Sequence, residues 1–116
     1  MKVLVCGGRD YGNITRVTQE LDALARTATL TIIEGGATGA DEIAREWSRR
    51  YGRGYLYTMR ADWEGHGKAA GPIRNQKMLD VYKPDLVLAF PGGRGTADMV
   101  ARAKAAGVPV KCIEVA

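Results

Sequence analysis

The chemistry that this sequence suggests begins with the run AFPGGRGTADM at positions 89–99, which joins an apolar segment to a helical pattern. Glycine lets the backbone approach an anion closely, and the N-terminus of a helix presents unsatisfied N–H groups at the positive end of its dipole. The run therefore predicts a phosphate-binding loop that is formed by Pro91, Gly92, Gly93, Arg94, Gly95 and Thr96.

Three other glycine-rich segments stand at corresponding places, each directly after a predicted strand: GGRDYG, EGGATGAD and RADWEGHGKAAGPIRN. A single glycine pair commonly marks only a tight turn. Glycine pairs that recur at the same point of successive strand-to-helix connections favour a shared ligand site instead. Besides the first run, the residues that we expect in this site are Gly7, Gly8, Arg9, Asp10, Gly35, Gly36, Ala37, Thr38, Gly39, Asp41, Asp62, Arg74 and Asn75.

Polar side chains in these segments offer specific contacts to a phosphorylated ligand. The guanidinium fork, which matches phosphate and carboxylate oxygens, is supplied by Arg9, Arg74 and Arg94. The segments also contain three carboxylates, those of Asp10, Asp41 and Asp62. Each would accept hydrogen bonds from ribose or a base, or equally would cap a helix or form an ion pair. Thr38 is expected to cap the second helix, with Asp41 three residues later in a capping-box position.

Several function classes are disfavoured by patterns that the sequence lacks. Neither GxGxxG nor GxxxxGK[ST] occurs, so dinucleotide hydride transfer and P-loop phosphoryl transfer are not expected. His66 is the single histidine and has no partner at metal-ligand spacing, so we predict no metal and no cofactor. The net charge of +4 suits an anionic ligand but is too small to indicate nucleic acid. We interpret the local basic excess as a solvated helix face made of Arg45, Arg49, Arg50, Arg53 and Arg60.

The elements that must position these loops alternate along the chain. Strands are predicted at 2–6, 30–33, 55–59, 86–90 and 108–114, and helices at 14–26, 38–52, 72–82 and 96–106. This alternation predicts a single α/β domain over residues 1–116, with a Rossmann-like, doubly wound, parallel five-stranded sheet and helices on both faces. All the glycine-rich segments then lie at the edge formed by the carboxyl ends of the strands, where such sheets bind ligands.

Composition indicates a protein of the cytoplasm. Hydrophobic residues make up 46% of the chain, which suffices for a core, and no apolar run approaches the ~20 residues of a membrane helix. Cys6 and Cys112 each fall in an apolar strand, so we expect buried, reduced thiols. Trp47 and Tyr51 lie on the predicted inner side of the second helix, where they would join the core or an apolar patch for self-association.

Four segments together carry a family resemblance: VCGGRDY, IIEGGATGADEIAREW, ADWEGHGKAAGPIRNQKMLD and LVLAFPGGRGTADMV. They resemble the YspA-type branch of the SLOG superfamily, a Rossmann-like group that includes the Lonely Guy enzymes and the DprA proteins. The resemblance covers nearly the whole chain. It implies a nucleotide or nucleotide-derived ligand bound over the glycine-rich loops, since the superfamily includes sensor domains for nucleotide signals.

The last loop is similar to the PGGxGTxxE pattern of the Lonely Guy enzymes, which hydrolyse the N-glycosidic bond of nucleoside 5′-monophosphates. The phosphate-cradling part of that pattern matches Pro91, Gly92, Gly93, Gly95 and Thr96. The position of the family's catalytic glutamate is Met99, which has no proton to exchange. Asp98 is adjacent, but successive side chains of a helix point about 100° apart. Asp98 is therefore expected to point in a different direction from the side chain at position 99. Asp41 and Asp62 are the other candidate carboxylates, with Arg74 to orient the ligand.

Three hypotheses remain open at this point. The first is a protein that binds a nucleotide-like molecule and senses or sequesters it. The second is a phosphoribohydrolase-like N-glycosidic hydrolase that uses one of the three carboxylates. The third is single-stranded DNA binding in the manner of DprA, with Trp63 and Tyr11 as stacking platforms; with two Trp, five Tyr and one Phe in the chain, this nucleic-acid partner is the least expected. Enzymes of the superfamily are commonly dimers, which favours a homodimer.

Overall fold

The computed structural model describes residues 1–115, in which strands and helices alternate. The strands are β1 (Lys2–Cys6), β2 (Thr31–Glu34), β3 (Leu56–Thr58), β4 (Leu86–Ala89) and β5 (Val110–Cys112). The helices are α1 (Ile14–Ala25), α2 (Ala40–Tyr51), α3 (Trp63–His66), α4 (Ala70–Tyr82) and α5 (Arg94–Ala105). A 3₁₀ turn over Gly67–Ala69 joins α3 to α4.

The five strands form one parallel sheet in the order β3-β2-β1-β4-β5. The chain therefore builds outward from β1 through β2 to β3, returns past β1, and adds β4 and β5 on the other side. Because all strands run in the same direction, the connections that follow β1, β2, β3 and β4 share one edge. The predicted doubly wound α/β fold is confirmed, and the winding reverses between β1 and β4.

Helices cover both faces of the sheet because successive side chains of a strand point to opposite sides. In β1, Val3 and Val5 belong to one core cluster and Leu4 to the other. The first cluster packs α1 and α2 on the sheet, chiefly through Val17, Leu21, Ala40, Ala44 and Trp47. The second packs α4 and α5 on the opposite face, through Met78, Leu79, Met99 and Ala103. Each strand-to-helix connection is thereby fixed between a packed strand and a packed helix.

The predicted capping box of the second helix is wrong. Helix α2 begins at Ala40 after Gly39, and no side chain caps it. The Thr38 hydroxyl donates instead to the carbonyl of Arg9 at 3.0 Å. The Asp41 carboxylate turns back to the backbone N–H groups of the loop that precedes the helix, because those groups are buried and need an acceptor.

The polar stretch after β3 holds more structure than the sequence indicated. Asp62 accepts a hydrogen bond from the Gly65 N–H at 2.9 Å and so caps the short helix α3. Helix α4 begins at Ala70, two residues before Pro72, which the sequence had placed first. Proline fits there because the N–H groups of a first helical turn have no partner within the helix. Helix α5 similarly begins at Arg94, so Thr96 lies inside its first turn and does not cap it.

Of the two positions proposed for Tyr51, the core is ruled out, and the expected burial of both cysteines is wrong. Tyr51 is 63% exposed, whereas Trp47 is buried and donates its indole N–H to Asp22 at 2.9 Å. Cys112 is exposed and Cys6 is half-buried; both are free thiols. Cys112 belongs to the outer strand β5, which has one neighbour, and its side chain is therefore less covered. Cys6 is the last residue of the central strand β1, at the carboxyl edge of the sheet.

Candidate functional site

A cavity of about 670 Å³ opens at the carboxyl edge of the sheet, where the sequence predicts a ligand site. Residues from all four strand-to-helix connections line it. The predicted residues that the structure brings together here are Gly7, Gly8, Arg9, Gly35, Gly36, Ala37, Thr38, Asp41, Arg74, Asn75, Gly93, Gly95 and Thr96.

Other predicted residues do not line this cavity. They are Asp10, Gly39, Asp62, Pro91, Gly92, Arg94 and Asp98. Conversely, several lining residues were not predicted for the nucleotide site, namely Val5, Cys6, Arg60, Ala61, Trp63, Gly71 and Met78. Of these, Trp63 was predicted only as a stacking platform for single-stranded DNA. The sequence did contain a signal for four of them, because they belong to the glycine-rich segment after β3: Arg60, Ala61, Trp63 and Gly71. The others face the cavity from a strand end or from the inner side of α4, and no motif marks them.

The loop between β4 and α5 leaves its backbone N–H groups open. Gly93 precedes the first helical residue, and no side chain caps the helix. Within residues 1–115, the N–H groups of Arg94, Gly95 and Thr96 make no hydrogen bond. A Cβ atom built on Gly93 or Gly95 would meet no atom within 4 Å. This loop therefore presents unsatisfied donors and free space to the cavity, which is the arrangement that binds phosphate.

The loop between β2 and α2 has its N–H groups bonded internally. Glu34, which is fully buried, accepts from the Gly36 N–H at 2.8 Å. Asp41 accepts from the N–H groups of Gly35 at 3.0 Å and Ala37 at 3.3 Å. Ala40 donates to the Gly8 carbonyl at 3.3 Å. Most donors of this glycine-rich loop are thus satisfied by the protein itself.

Glu34 also joins the loop to two neighbouring elements. Arg45 of α2 donates to its Oε1 at 2.6 Å, and the Thr58 hydroxyl of β3 donates to its Oε2. Arg45 is only 13% exposed, so this is a largely buried ion pair. The interpretation of Arg45 as part of a solvated helix face is therefore wrong, because a fully buried carboxylate needs a charged partner.

Two glycines are required by close approach of the chain to itself. A Cβ on Gly7 would lie 2.6 Å from the Cβ of Ala40, so this glycine lets α2 approach the end of β1. Gly39 has φ +74°, and a Cβ there would lie 2.1 Å from the Gly8 carbonyl oxygen. Both serve the architecture that brings the first two loops together.

Asp41 is the one candidate catalytic carboxylate that lines the cavity. Burial raises its pKa to about 6, and the nearby charge of Glu34 acts in the same direction. The N–H groups of Ala37 and Gly35 and the charge of Arg74 oppose this rise in pKa only in part. A carboxyl group with a pKa near neutrality is suited to proton transfer. Burial also raises the pKa of the adjacent Cys6 thiol to about 12, which keeps it protonated and unreactive.

Arg74 is fastened to the backbone of the site. Its Nη1 donates to the carbonyls of Gly35 at 2.8 Å and Met59 at 3.3 Å, and its Nε donates to Asn75 at 3.0 Å. Burial lowers its pKa, although the neighbouring charge of Asp41 counteracts the shift. This guanidinium therefore ties the end of β2 to the segment that follows β3, while it faces the cavity.

The other two carboxylate candidates are held elsewhere. Asp98 accepts from the Asn75 amide at 3.0 Å and from Arg102 Nε at 2.9 Å, between α4 and α5. Asp62 caps α3. Met99 is 1% exposed and belongs to the core cluster between the sheet and these two helices, as its apolar side chain predicts.

Two arginines frame the opening of the cavity. Arg60 is exposed, but it follows β3 and does not lie on a helix face; its Nη1 donates to the Gly36 carbonyl at 2.9 Å. The guanidinium carbon of Arg9 lies 5.7 Å from the centre of the Trp63 ring. Together with Arg74, these side chains place three cationic groups around the cavity.

Neither a metal-binding cluster nor a membrane-spanning helix is found within residues 1–115. That part of the chain contains no cluster of three or more His, Cys, Asp or Glu side chains able to hold a metal ion. It also contains no helix whose length and apolar character would allow it to cross a bilayer.

Known proteins resemble this chain in sequence and in fold. The profile of the YspA, cpYpsA-related SLOG family matches residues 1–66. The Gene 61 protein of Mycobacterium phage D29 is 42% identical over an alignment of 117 positions, which covers 94% of this chain and 93% of the phage protein. The C-terminal domain of a hydrogenase from Pyrococcus furiosus superposes with a TM-score of 0.56 over 96% of this chain and 89% of that domain. At 19% identity, the last similarity concerns the fold alone.

Proposed function

Because the chain belongs to the YspA, cpYpsA-related SLOG family, we propose that it binds a nucleotide or nucleotide-derived small molecule and senses or sequesters it. One observation carries the proposal: the unpaired N–H groups at the start of α5 face a cavity that three other glycine-rich connections also line. Unsatisfied donors at a helix N-terminus favour a phosphate group.

The size and charge of the cavity support the same proposal. A volume of about 670 Å³ lies within the range that small-molecule sites occupy, roughly 300–1,000 Å³. Arg9, Arg60 and Arg74 surround it, and guanidinium groups pair well with phosphate oxygens. The aromatic ring of Trp63 adds an apolar surface at one end.

Direct binding measurements test this proposal. Isothermal titration calorimetry with AMP, GMP, CMP and UMP should show saturable binding of at least one of them. Mass spectrometry of small molecules released from the purified, denatured protein should identify a phosphorylated compound that co-purifies with it. Failure of both measurements would contradict the proposal.

A second candidate function is hydrolysis of the N-glycosidic bond of a nucleoside 5′-monophosphate. The observation that favours it is the position of Asp41, which lines the cavity and has a pKa raised to about 6 by burial. In its protonated form, this carboxyl group would give a proton to the departing base while water attacks the anomeric carbon. The attacking water would then lose a proton to the carboxylate, so that base and ribose 5-phosphate result and the carboxyl group is restored.

Release of free base distinguishes hydrolysis from binding alone. Chromatography after incubation with the four monophosphates should show base and ribose 5-phosphate in equal amounts if the chain is an enzyme. Asp41→Asn should abolish that release, whereas Asp98→Asn should not, because Asp98 does not line the cavity. No release by the unmodified chain would leave binding as the function.

We further propose that two copies of the chain associate, and that they do so in the cytoplasm. Exposed aromatic rings beside β3 support the association: Tyr55 is 72% exposed, and its ring lies 6.2 Å from that of Tyr57. The free thiols of Cys6 and Cys112 suit a reducing compartment. Light scattering during size-exclusion chromatography tests the association, and a monomer mass at high protein concentration would contradict it.

A further inference from the structure

Trp63 differs from the other tryptophan in its surroundings. Its side chain lines the cavity, yet the residue is 50% exposed. The short helix that carries it is fixed by the Asp62 cap, and its ring lies over Gly71, another lining residue. Trp47, by contrast, is buried in the core and has its N–H bonded to Asp22. A fixed indole that is left half open at the rim of a cavity is placed to contact a ligand.

The guanidinium group of Arg9 lies over the ring of Trp63. The guanidinium carbon lies 5.7 Å from the centre of the indole ring. Arg9 follows β1 and Trp63 follows β3, so the pair reaches across the loop that follows the intervening strand β2. Indole and guanidinium planes are the groups on which proteins commonly stack nucleobases.

The part of the cavity that the β4–α5 connection lines has a different character. The carboxyl ends of β3 and β4 are three strand spacings apart, about 14 Å. Trp63 follows β3, whereas the open N–H groups of Gly95 and Thr96 follow β4. The cavity thus receives an aromatic plane from the connection after β3 and backbone donors for an anion from the connection after β4.

We propose that Trp63, assisted by Arg9, forms the subsite that holds the planar base of a bound nucleotide, whose phosphate lies at the N-terminus of α5. This inference rests on the proposed function and adds the orientation of the ligand to it. The base contributes to affinity through stacking on the indole plane, and stacking tolerates different bases because each presents a π face.

Comparison of a ligand that carries a base with one that lacks it tests the subsite. The probes are ribose 5-phosphate and whichever of AMP, GMP, CMP and UMP binds most tightly. Trp63→Leu should weaken binding of the nucleotide by about tenfold and leave that of ribose 5-phosphate unchanged, because only the nucleotide loses a stacked base. Trp63→Phe, which keeps an aromatic plane, should retain most of the affinity.

Tryptophan fluorescence gives a second readout that needs no variant. The nucleotide should quench the emission of the wild-type protein, and ribose 5-phosphate should not. Trp47 is buried outside the cavity lining, so its emission serves as an internal reference in the Trp63→Leu variant. Should that variant not fold, the wild-type emission decides: saturation with nucleotide without quenching overturns the subsite.

The outcomes separate this inference from the proposed function. Unchanged nucleotide affinity in Trp63→Leu, or equal weakening of nucleotide and ribose 5-phosphate, overturns the base subsite and leaves nucleotide binding in place. Absence of binding to the wild-type chain by all four nucleotides overturns the proposed function and the subsite with it. Selective loss of nucleotide affinity, together with loss of quenching, supports both.

Discussion

The β2–α2 loop and the β4–α5 loop have similar glycine-rich sequences but contribute differently to the site. EGGATG begins with the last residue of β2 and ends before α2, whereas the last three residues of PGGRGT form the first turn of α5. No side chain caps either helix. In the first loop, Glu34 and Asp41 accept the N–H groups of the loop. In the second, the N–H groups at the helix start make no hydrogen bond within residues 1–115.

The difference shows that glycine content alone does not identify the part of a loop that binds an anion. A buried carboxylate within reach satisfies the donors of the β2–α2 loop and also brings negative charge to it. The β4–α5 loop has no such carboxylate, since Asp98 is directed toward Asn75 and Arg102. We therefore interpret the first loop as a wall that shapes the cavity, and the second as the place where phosphate binds.

Removal of the Glu34 carboxylate should have the largest effect on stability of the changes to the β2–α2 loop. Glu34→Ala should lower the free energy of unfolding by about 3–5 kcal/mol, because it leaves the largely buried Arg45 guanidinium without its partner. Glu46→Ala is a matched control, since that ion pair with Arg49 is exposed and should contribute less than about 1 kcal/mol. Urea denaturation measures both, and equal effects would contradict the assignment of Glu34.

The pH dependence of stability tests Asp41 in the same loop. Its pKa is raised in the folded protein from 3.8 to about 6, so the folded state binds more protons than the unfolded state between these values. Stability from this group therefore rises as the pH falls from 7 to 4, by about 2–3 kcal/mol. The measurement is the difference in unfolding free energy between the wild type and Asp41→Asn across this range. A constant difference would show that the pKa is not raised.

The same glycine-to-alanine change should have opposite effects in the two loops. Gly39→Ala should destabilise by at least about 1–3 kcal/mol, because φ is +74° and the new Cβ would clash with the Gly8 carbonyl. Gly95→Ala should stabilise by about 0.5 kcal/mol, because the position is helical and open. Thermal denaturation of the pair compares them directly, and destabilisation by Gly95→Ala would refute the open position.

Obstruction of the β4–α5 loop should remove ligand binding with little effect on the fold. Gly93→Val places a branched side chain where the structure has open space, so the domain should lose no more than about 1 kcal/mol of stability. Nucleotide affinity should fall at least about tenfold, since the side chain blocks access to the N–H groups. Gly12→Val is the control: it also meets no atom within 4 Å, but it does not line the cavity. Calorimetry with unchanged affinity in Gly93→Val would argue against phosphate binding at this loop.

Sequence reasoning succeeded where the signal is local. Val3, Leu4 and Val5 form a continuous apolar run, which indicates a strand buried on both faces, and Met99 has the apolar side chain of a core residue. The prediction failed where a side chain can form a hydrogen bond either to a near neighbour or to a distant residue. Thr38 fits a helix cap by its spacing, yet its hydroxyl reaches Arg9 in another loop, 29 positions away.

The sequence by itself determined the alternation of strands and helices and the edge of the sheet at which the glycine-rich connections gather. These features follow from apolar periodicity and from the backbone freedom of glycine, both of which act between near neighbours. Only the tertiary structure decided which connection keeps its donors open, and that Asp41, Arg60 and Trp63 share one cavity whereas Asp98 does not. The β2–α2 donors are bonded by carboxylates only two to six positions away, but those carboxylates are buried only in the assembled sheet. The shared cavity brings together residues tens of positions apart, and it exists only once the sheet has assembled.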